Sequence, residues 1–491
     1  MRHVRMKKVA ITLQNINRLF SRYLSPEASA RAHTLFLKKL ALEAHRFYRG
    51  KMQTLPRAGI FGFNWFNVWY TPGVSGVSTA IRDNNDNSFE LTTRGNHVAV
   101  VSDSTRVLGD GDCTPPGGLG VMEGKAFLMK YLGGLDATAL CMDSRNRKGK
   151  HDPKKIIDFV TMVQPSFGAI NLEDISKPHC YTVLDTLREQ CDIPVWHDDA
   201  EGTACVTLGG LLNALKLTDK TMDRISIVFF GAGASNTTIA RIIIEAGGDP
   251  TRMVIFDSKG ALHRKRDDLK SNTLYRRKWE LCEKTNPACI TDIEKAMTSA
   301  DVLIALSRPG PDIVKKEWIR LMSDHPVVFA CANPVPEIYP YAAKEAGAFI
   351  VATGRGDFPN QVNNSLGFPG ILKGALLVRA KKISYRMIIA AAHSLAMFAE
   401  KRGINPKNII ATMDETGVFP HEAADVAMGA VKDGLARLSK SRDQIYLEAK
   451  TDIEQAQKTI HLLIEKNLIK KPPQKMLQDA FEWTMKKVTK M

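Results

Sequence analysis

An apolar run at positions 225–230 leads directly into Gly231-Ala232-Gly233-Ala234, a helical pattern follows over 237–246, and a second apolar strand at 253–256 ends on Asp257. This block constrains the fold more than any other part of the chain. Parallel strands need a crossover, so a strand that turns on small residues into a helix and comes back as a strand predicts a βαβ unit. A helical pattern at 293–299 and strands at 302–306, 327–330 and 349–352 continue the alternation. The expected class is therefore α/β, with a Rossmann-like doubly wound parallel sheet. Small residues at Gly231, Ala232, Gly233 and Ala234 let the backbone approach a pyrophosphate. The helix that follows offers free N–H groups and the positive end of its dipole. Asn236 stands at the third glycine position, which serves helix–strand packing rather than phosphate contact. Asp257 is placed to accept hydrogen bonds from a ribose diol, which favours NAD. Lys259 and Arg264-Lys265-Arg266 follow closely and keep NADP open as the alternative.

The 491 residues, 44% hydrophobic and 24% charged, give room for more than one globular domain. No apolar run reaches the length of a membrane-spanning helix, so no membrane partner is expected. Eight cysteines with no C-x-x-C pair suggest neither a zinc site nor a disulfide framework, and fit a reducing compartment such as the cytoplasm. The net charge of +16 is concentrated at the start. Positions 1–50 hold eleven Lys or Arg against Glu27 and Glu43 alone. Arg2, Arg5, Arg18 and Arg22 lie in an acid-free, partly apolar leader. It reads either as a transit peptide for a mitochondrion-like organelle or, the preferred reading, as a basic helix packed on a neighbouring subunit. The basic tracts 145–155 and 466–475 carry no interleaved aromatics and are expected to be solvated loops, so nucleic acid is not an expected partner.

Two acidic doublets follow apolar strands. Glu173-Asp174 comes after 167–170, and Asp198-Asp199 after 193–195. Acids gathered at parallel strand ends sit where α/β folds bind ligands, and hard oxygens there suit Mg²⁺ or Mn²⁺. His197 reads as a neighbour that packs or orients them. Further strands are expected at 98–102 and 139–142, a helix at 122–131, a loop through the Gly/Pro-dense 113–118, and helices after residue 371.

The chain resembles the malic enzyme family. The likeness is carried by Tyr70-Thr71-Pro72-Gly73-Val74, Val121-Met122-Glu123-Gly124-Lys125-Ala126, Ile170-Asn171-Leu172-Glu173-Asp174-Ile175, His197-Asp198-Asp199 with Gly202-Thr203-Ala204, the Gly231 turn, Ala332-Asn333-Pro334 with Pro336-Glu337, and Pro359-Asn360-Gln361-Val362-Asn363-Asn364. The resemblance implies oxidative decarboxylation of L-malate to pyruvate with reduction of NAD or NADP. A malolactic variant and a non-catalytic dinucleotide-binding relative are the alternatives. It implies Lys125 as the base, with a pKa lowered by burial and by positive charge such as Arg106 or the metal. It further implies Tyr70 as the acid, Asp198 beside the lysine, and Glu173, Asp174 and Asp199 as metal ligands. Arg106, Asn333 and Asn364 would hold substrate, and Asn333 and Asn363 the nucleotide. The matching domains are a basic helical extension (1–65), a substrate and metal domain (66–218), a Rossmann-like domain (219–375) and a helical C-terminal region (376–491). A homodimer or homotetramer is implied. Three positions depart from the family pattern: Asp110, Glu201 and Gly356. Of these, Glu201 is expected to add negative charge near the metal.

Overall fold

The computed structural model describes residues 10–490 apart from Gly109; Arg2 and Arg5 of the basic leader lie outside them. The chain divides into two compact units. One joins the segment up to Thr54 with the segment from Lys458, and the other is Leu55–Gln457.

In the terminal unit, helices Ile16–Tyr23 and Pro26–Tyr48 pack with helix Gln474–Val488. Pro26 opens its helix, where a missing N–H is harmless, and the Ser25 side chain accepts from Ala28 N at 3.3 Å. Phe20 meets Phe36 edge-on at 6.0 Å and stacks on Phe481 at 5.3 Å. One apolar face of the basic N-terminal helices thus packs on the C-terminal helix of the same chain, while Leu37, Leu42 and Phe47 stay exposed.

The larger unit holds two parallel sheets. The first contains β1 (His97–Ser102), β2 (Asp136–Cys141), β3 (Ala169–Leu172) and β4 (Val195–His197) in the order β2-β1-β3-β4. The second contains β5 (Ile227–Phe230), β6 (Met253–Asp257), β7 (Gly260–Ala261), β8 (Val302–Ala305), β9 (Val327–Ala330) and β10 (Ile350–Thr353) in the order β10-β9-β8-β5-β6-β7. Only β7 is antiparallel. Central strands β1, β8 and β9 are apolar and buried along nearly their whole length, as sheets covered on both faces require.

Each sheet reverses its winding once. The chain adds β2 on one side of β1 and β3 on the other. It likewise adds β6 on one side of β5 and β8 on the other. The crevices beyond β1/β3 and β5/β8 are therefore the topological switch points where such folds bind ligands. Helix Asp198–Thr218, buried on nearly all sides, leaves β4 and packs on helices Ala234–Glu245 and Tyr385–Arg402, so it ties the two sheets together.

Helix Thr114–Gly133 begins well before the expected 122 and takes in the stretch expected to be loop. Prolines in a first helical turn lack only N–H groups that have no intrahelical partner there. Gly118 is required for another reason: a Cβ at that position would collide with Ser104 Oγ. The 145–155 tract is likewise more than solvated loop, since Arg145 is tied to Asp112 and, at 3.1 Å, to Asp143. Among the described residues no helix is long and apolar enough to cross a membrane.

Candidate active site

At the first switch point, β1 and β3 run side by side and the chain leaves each at the same level. Glu173 N donates to Val101 O and Arg106 N to Asp174 O, both at 2.9 Å. Asp174 adopts φ +53°, a left-handed conformation that Asp tolerates better than most residues. From the neighbouring strand β4, Asp198 and Asp199 open the following helix, where the dipole favours negative charge. Lys125 projects from helix Thr114–Gly133 into this group. Its Nζ pairs with Asp198 Oδ2 and lies 3.0 Å from Glu173 Oε1 and 4.7 Å from the centre of the Phe368 ring. Trp196 Nε1 donates to Asp198 Oδ1 at 3.1 Å, and Asn171 Nδ2 to Glu173 Oε1 at 2.9 Å. Glu173 and Asp198 are fully buried.

One ammonium here faces four carboxyl groups. Burial, then its neighbours Asp198 and Asp199, pushes Glu173 well above the usual carboxylate range. Burial and then Asp199 push Asp174 up to about 7. The lysine departs from expectation. Burial alone would lower its pKa, but contact with Asp198 and Glu173, with Asp199 behind them, outweighs burial and holds the amine above its ordinary value.

Asp174 Oδ2 is buried and makes no hydrogen bond, and such an orphaned hard oxygen is what a divalent cation satisfies. The donor chemistry of Glu173, Asp174 and Asp199 fits Mg²⁺ or Mn²⁺. Their present contacts are otherwise directed: Glu173 holds Lys125, and Asp199 Oδ2 accepts from Asp174 N at 2.9 Å. Among the described residues no three acidic, His or Cys side chains converge on one cation position.

Arg106 is exposed, with its guanidinium within electrostatic reach of Asp174 and in no hydrogen bond. Asn364 flanks Asp198 across Gly202: a Cβ on Gly202 would clash with Asp198 Oδ1 and lie 3.0 Å from Asn364 Cβ. His197 is buried with neither ring nitrogen bonded, so it packs beside the acids but does not orient them through hydrogen bonds. Glu201 does not leave a free charge, because Arg188 grips both its oxygens at 2.7 and 2.9 Å. Asp110 is exposed on the turn closed by Val107 and Gly111, and Gly356 lies against the Gln361 amide. Tyr70 is not brought to this cluster within the chain. It is 72% exposed just after the short helix Trp65–Trp69, and its hydroxyl has no hydrogen-bond partner.

At the second switch point, Gly231 has φ +104°, and a Cβ there would lie 2.5 Å from Leu306 O. Only glycine fits this turn. Ala232 is buried beneath it, Gly233 caps helix Ala234–Glu245, and Ala234 begins that helix. Asn236 works where a third glycine was expected because its buried amide donates to Gly231 O at 2.8 Å and to Ile304 O at 3.3 Å, tying the turn to β8. Glu337 braces the loops after β8 and β9, accepting from Ser307 N at 2.8 Å and Ala332 N at 3.0 Å. Asn333 is exposed on the second of these loops. Asn363 caps its own turn, its Oδ1 accepting from Ser365 N and Oγ. Asp257 is engaged by Arg266 and Lys278. The two crevices meet where Ser235 Oγ donates to Asp199 O at 2.9 Å.

Sequence reasoning missed Phe368, Trp196, Asn171, Lys278 and Glu337. All act through contacts that no local spacing announces; only Asn171 and Glu337 sit inside quoted motifs.

Residues 63–188 match the model of the malic enzyme N-terminal domain, and residues 200–431 that of the malic enzyme NAD-binding domain. The chain belongs to the malic enzyme family. Its reaction is the oxidative decarboxylation of malate with NAD or NADP. Among similar proteins, the bifunctional malic/malolactic enzyme of Bacillus subtilis is 38% identical over 83% of this chain and 97% of its own length. The NAD-dependent malic enzyme of Geobacillus stearothermophilus is 41% identical over 79% and 78%. Among solved structures, the Entamoeba histolytica malic enzyme superposes with a TM-score of 0.95 at 61% identity, covering 97% of this chain and 98% of that one. The Pyrococcus horikoshii malic enzyme gives 0.79 at 41%, covering 88% and 96%.

Proposed function

We propose that this malic enzyme works at the β1/β3 crevice with Lys125 as the group that takes the C2 hydroxyl proton of L-malate and Tyr70 as the acid that protonates C3. Asp198 is the carboxylate that holds and relieves the lysine. Glu173, Asp174 and Asp199 hold Mg²⁺ or Mn²⁺. When bound, the cation supplies Lewis-acid charge for the C2 oxygen and for the negative charge left as CO₂ departs. Arg106, Asn333 and Asn364 orient the substrate carboxylates and hydroxyl, the guanidinium being free and suited to bidentate binding. The turn Gly231 to Ala234, with Asp257, Asn333 and Asn363, would hold the dinucleotide, which when bound would supply the acceptor for the C2 hydride. Lys125 starts as an ammonium, so its own proton must leave before it can act, and Asp198 is the acceptor in contact.

The observation that carries this reading is Lys125 lodged between Glu173 and Asp198 at the strand ends. The lysine, the phenol and the metal ligands then belong to 66–218, and dinucleotide binding, with the substrate contacts of Asn333 and Asn364, to 219–375. The assembly is a homodimer or homotetramer, and eight unpaired thiols suit the cytoplasm.

The test is a malate- and Mn²⁺-dependent assay of NAD(P)H and pyruvate. Lys125→Ala is expected to lower kcat by about a thousandfold or more while dinucleotide binding persists. Turnover within about tenfold of the parent would remove Lys125 from the mechanism. Lactate formed without NAD(P)H release would shift the reading to the malolactic reaction.

A further inference from the structure

Almost all of the chain's excess charge lies in the terminal unit. Positions 1–54 and 458–491 hold 20 Lys or Arg against 5 Asp or Glu, a surplus of 15 within the net +16 of the whole chain. The larger unit, with the lysine–carboxylate cluster, is therefore close to neutral. Within the terminal unit, helices Pro26–Tyr48 and Arg442–Glu465 end at one tip, where Tyr48 Oη donates to Lys470 O at 2.6 Å. Each gives way to a left-handed residue, Arg49 at φ +56° and Asn467 at φ +57°. Leu468 N and Ile469 N both donate to Leu463 O, at 2.8 and 3.0 Å, so the second turn is closed rather than frayed.

Arg49, Lys466, Lys470 and Lys471 are exposed on this tip, and among the described residues none makes a side-chain ion pair or hydrogen bond. The carboxylate of Glu43 is already taken, by Lys39 at 2.6 Å and Arg46 at 3.1 Å. Between the cations stand Phe47, Tyr48 and Leu468, all exposed, Leu468 at 72%. Cations complement the dipole at a helix C-terminus, but that does not account for the apolar side chains beside them.

Interleaved cations and apolar side chains suit the surface of an anionic bilayer. Headgroup charge draws the cations, and the apolar side chains enter the acyl boundary beneath. A polynucleotide would satisfy the charge and leave Leu468 in water. Nor do the rings offer bases an open platform, since Phe47 and Tyr48 meet edge-on at 4.8 Å and the Tyr48 hydroxyl is engaged. A second copy would set one surplus of 15 against another. Contact with a membrane surface requires no spanning helix. We propose that this tip docks the protein peripherally on bilayers that carry anionic phospholipid, with Phe47 and Leu468 entering the acyl boundary.

The experiment floats the full-length protein with vesicles of phosphatidylcholine alone and with vesicles that also hold about 30% phosphatidylserine. Partitioning onto the anionic vesicles is expected to exceed that onto the neutral ones by about tenfold or more, and to be lost at about 1 M salt. Lys470→Glu combined with Lys471→Glu is expected to weaken it by about tenfold or more. Leu468→Ser is expected to weaken it by about fivefold or more without changing the charge. Both variants alter exposed side chains, and either one alone tests the tip should the other not fold. Equal binding to the two vesicles, or binding to neither, overturns the proposal. Binding that Leu468→Ser leaves unchanged would show charge acting alone and overturns it as well. A single-stranded oligonucleotide that strips the protein from anionic vesicles, and binds Leu468→Ser as tightly as the parent, would assign the tip to nucleic acid instead. A variant that turns an oligomer into monomers in sedimentation would assign it to a subunit contact.

Discussion

At the scale of single residues, the lysine–carboxylate group is held by packing as tight as its charges. Asp198 lies against Gly202, one turn on in the same helix, while Trp196 Nε1 and Lys125 Nζ fix its two oxygens. A methyl group on Gly202 would occupy the space of Asp198 Oδ1 and press on Asn364. Gly202→Ala is therefore expected to push Asp198 off Lys125. Because that carboxylate is both the lysine's partner and its proton acceptor in the proposed mechanism, kcat should fall by about tenfold to a hundredfold. The Gly231 turn lies on another sheet, so affinity for the dinucleotide should hold. Steady-state kinetics with a parallel nucleotide titration separates the two. A Gly202→Ala enzyme with unchanged kcat would show that the carboxylate is not held where the chemistry needs it.

At the scale of elements, helix packing contains a carboxyl with no chemistry assigned to it. Glu422, on helix Val418–Lys432, is fully buried against Gly370 of helix Phe368–Leu377, and neither of its oxygens has a hydrogen-bond partner. Burial, with Asp425 adding to it, holds Glu422 well above its ordinary value. The native state keeps that proton after the unfolded chain has lost it. This residue's contribution to stability therefore falls as pH rises from the ordinary carboxyl pKa toward the raised one. Glu422→Met is expected to stabilise the fold by about 1–3 kcal/mol. The gain should be larger at about pH 8 than at about pH 5, as read by denaturant unfolding at both. A gain that does not change with pH would mean that Glu422 is not held protonated. Nothing in the sequence marks this residue, since Glu422 sits in an ordinary amphipathic run. The strands and the Gly231 turn were legible because apolar runs and glycine punctuation are local signals. The early start of helix Thr114–Gly133 was not, because its first turn is written in Pro and Gly, which locally read as loop. The acid clusters were visible as doublets, but that Lys125 sits on Glu173 and Asp198 depends on three separate elements meeting. The capture of Asp257 by Lys278 likewise crosses from a strand end to a helix that spacing does not place.

At the scale of the whole chain, the clearest unfinished surface is the stretch from Ile60 to Val74. Helices Trp65–Trp69 and Val74–Asp83 contain no buried residue. Phe61 and Phe63 are largely exposed, the latter at 84%, and Phe66, Trp69 and Tyr70 are exposed beside them. The rings pack on one another: Phe61 meets Trp65 edge-on at 5.5 Å, Trp65 stacks on Trp69 at 5.6 Å and Phe63 meets Phe66 edge-on at 5.7 Å. A contiguous aromatic surface of this kind is expected to be the subunit contact of the proposed homo-oligomer. Tyr70 lies within it, and a phenol meant to protonate carbon works best where water is excluded. In the proposed mechanism the expected subunit contact and the acid would then belong to one segment. Phe63→Asp places a charge in the middle of that contact and is expected to shift the protein toward monomer in sedimentation at micromolar concentration. Because Phe63 itself has no part in the proposed chemistry, any loss of pyruvate formation should track the monomer fraction and be recovered at high protein concentration. A fully assembled Phe63→Asp protein with parent activity would show that the aromatic segment is not the subunit contact. A monomer with parent activity would show that Tyr70 needs no partner to be covered.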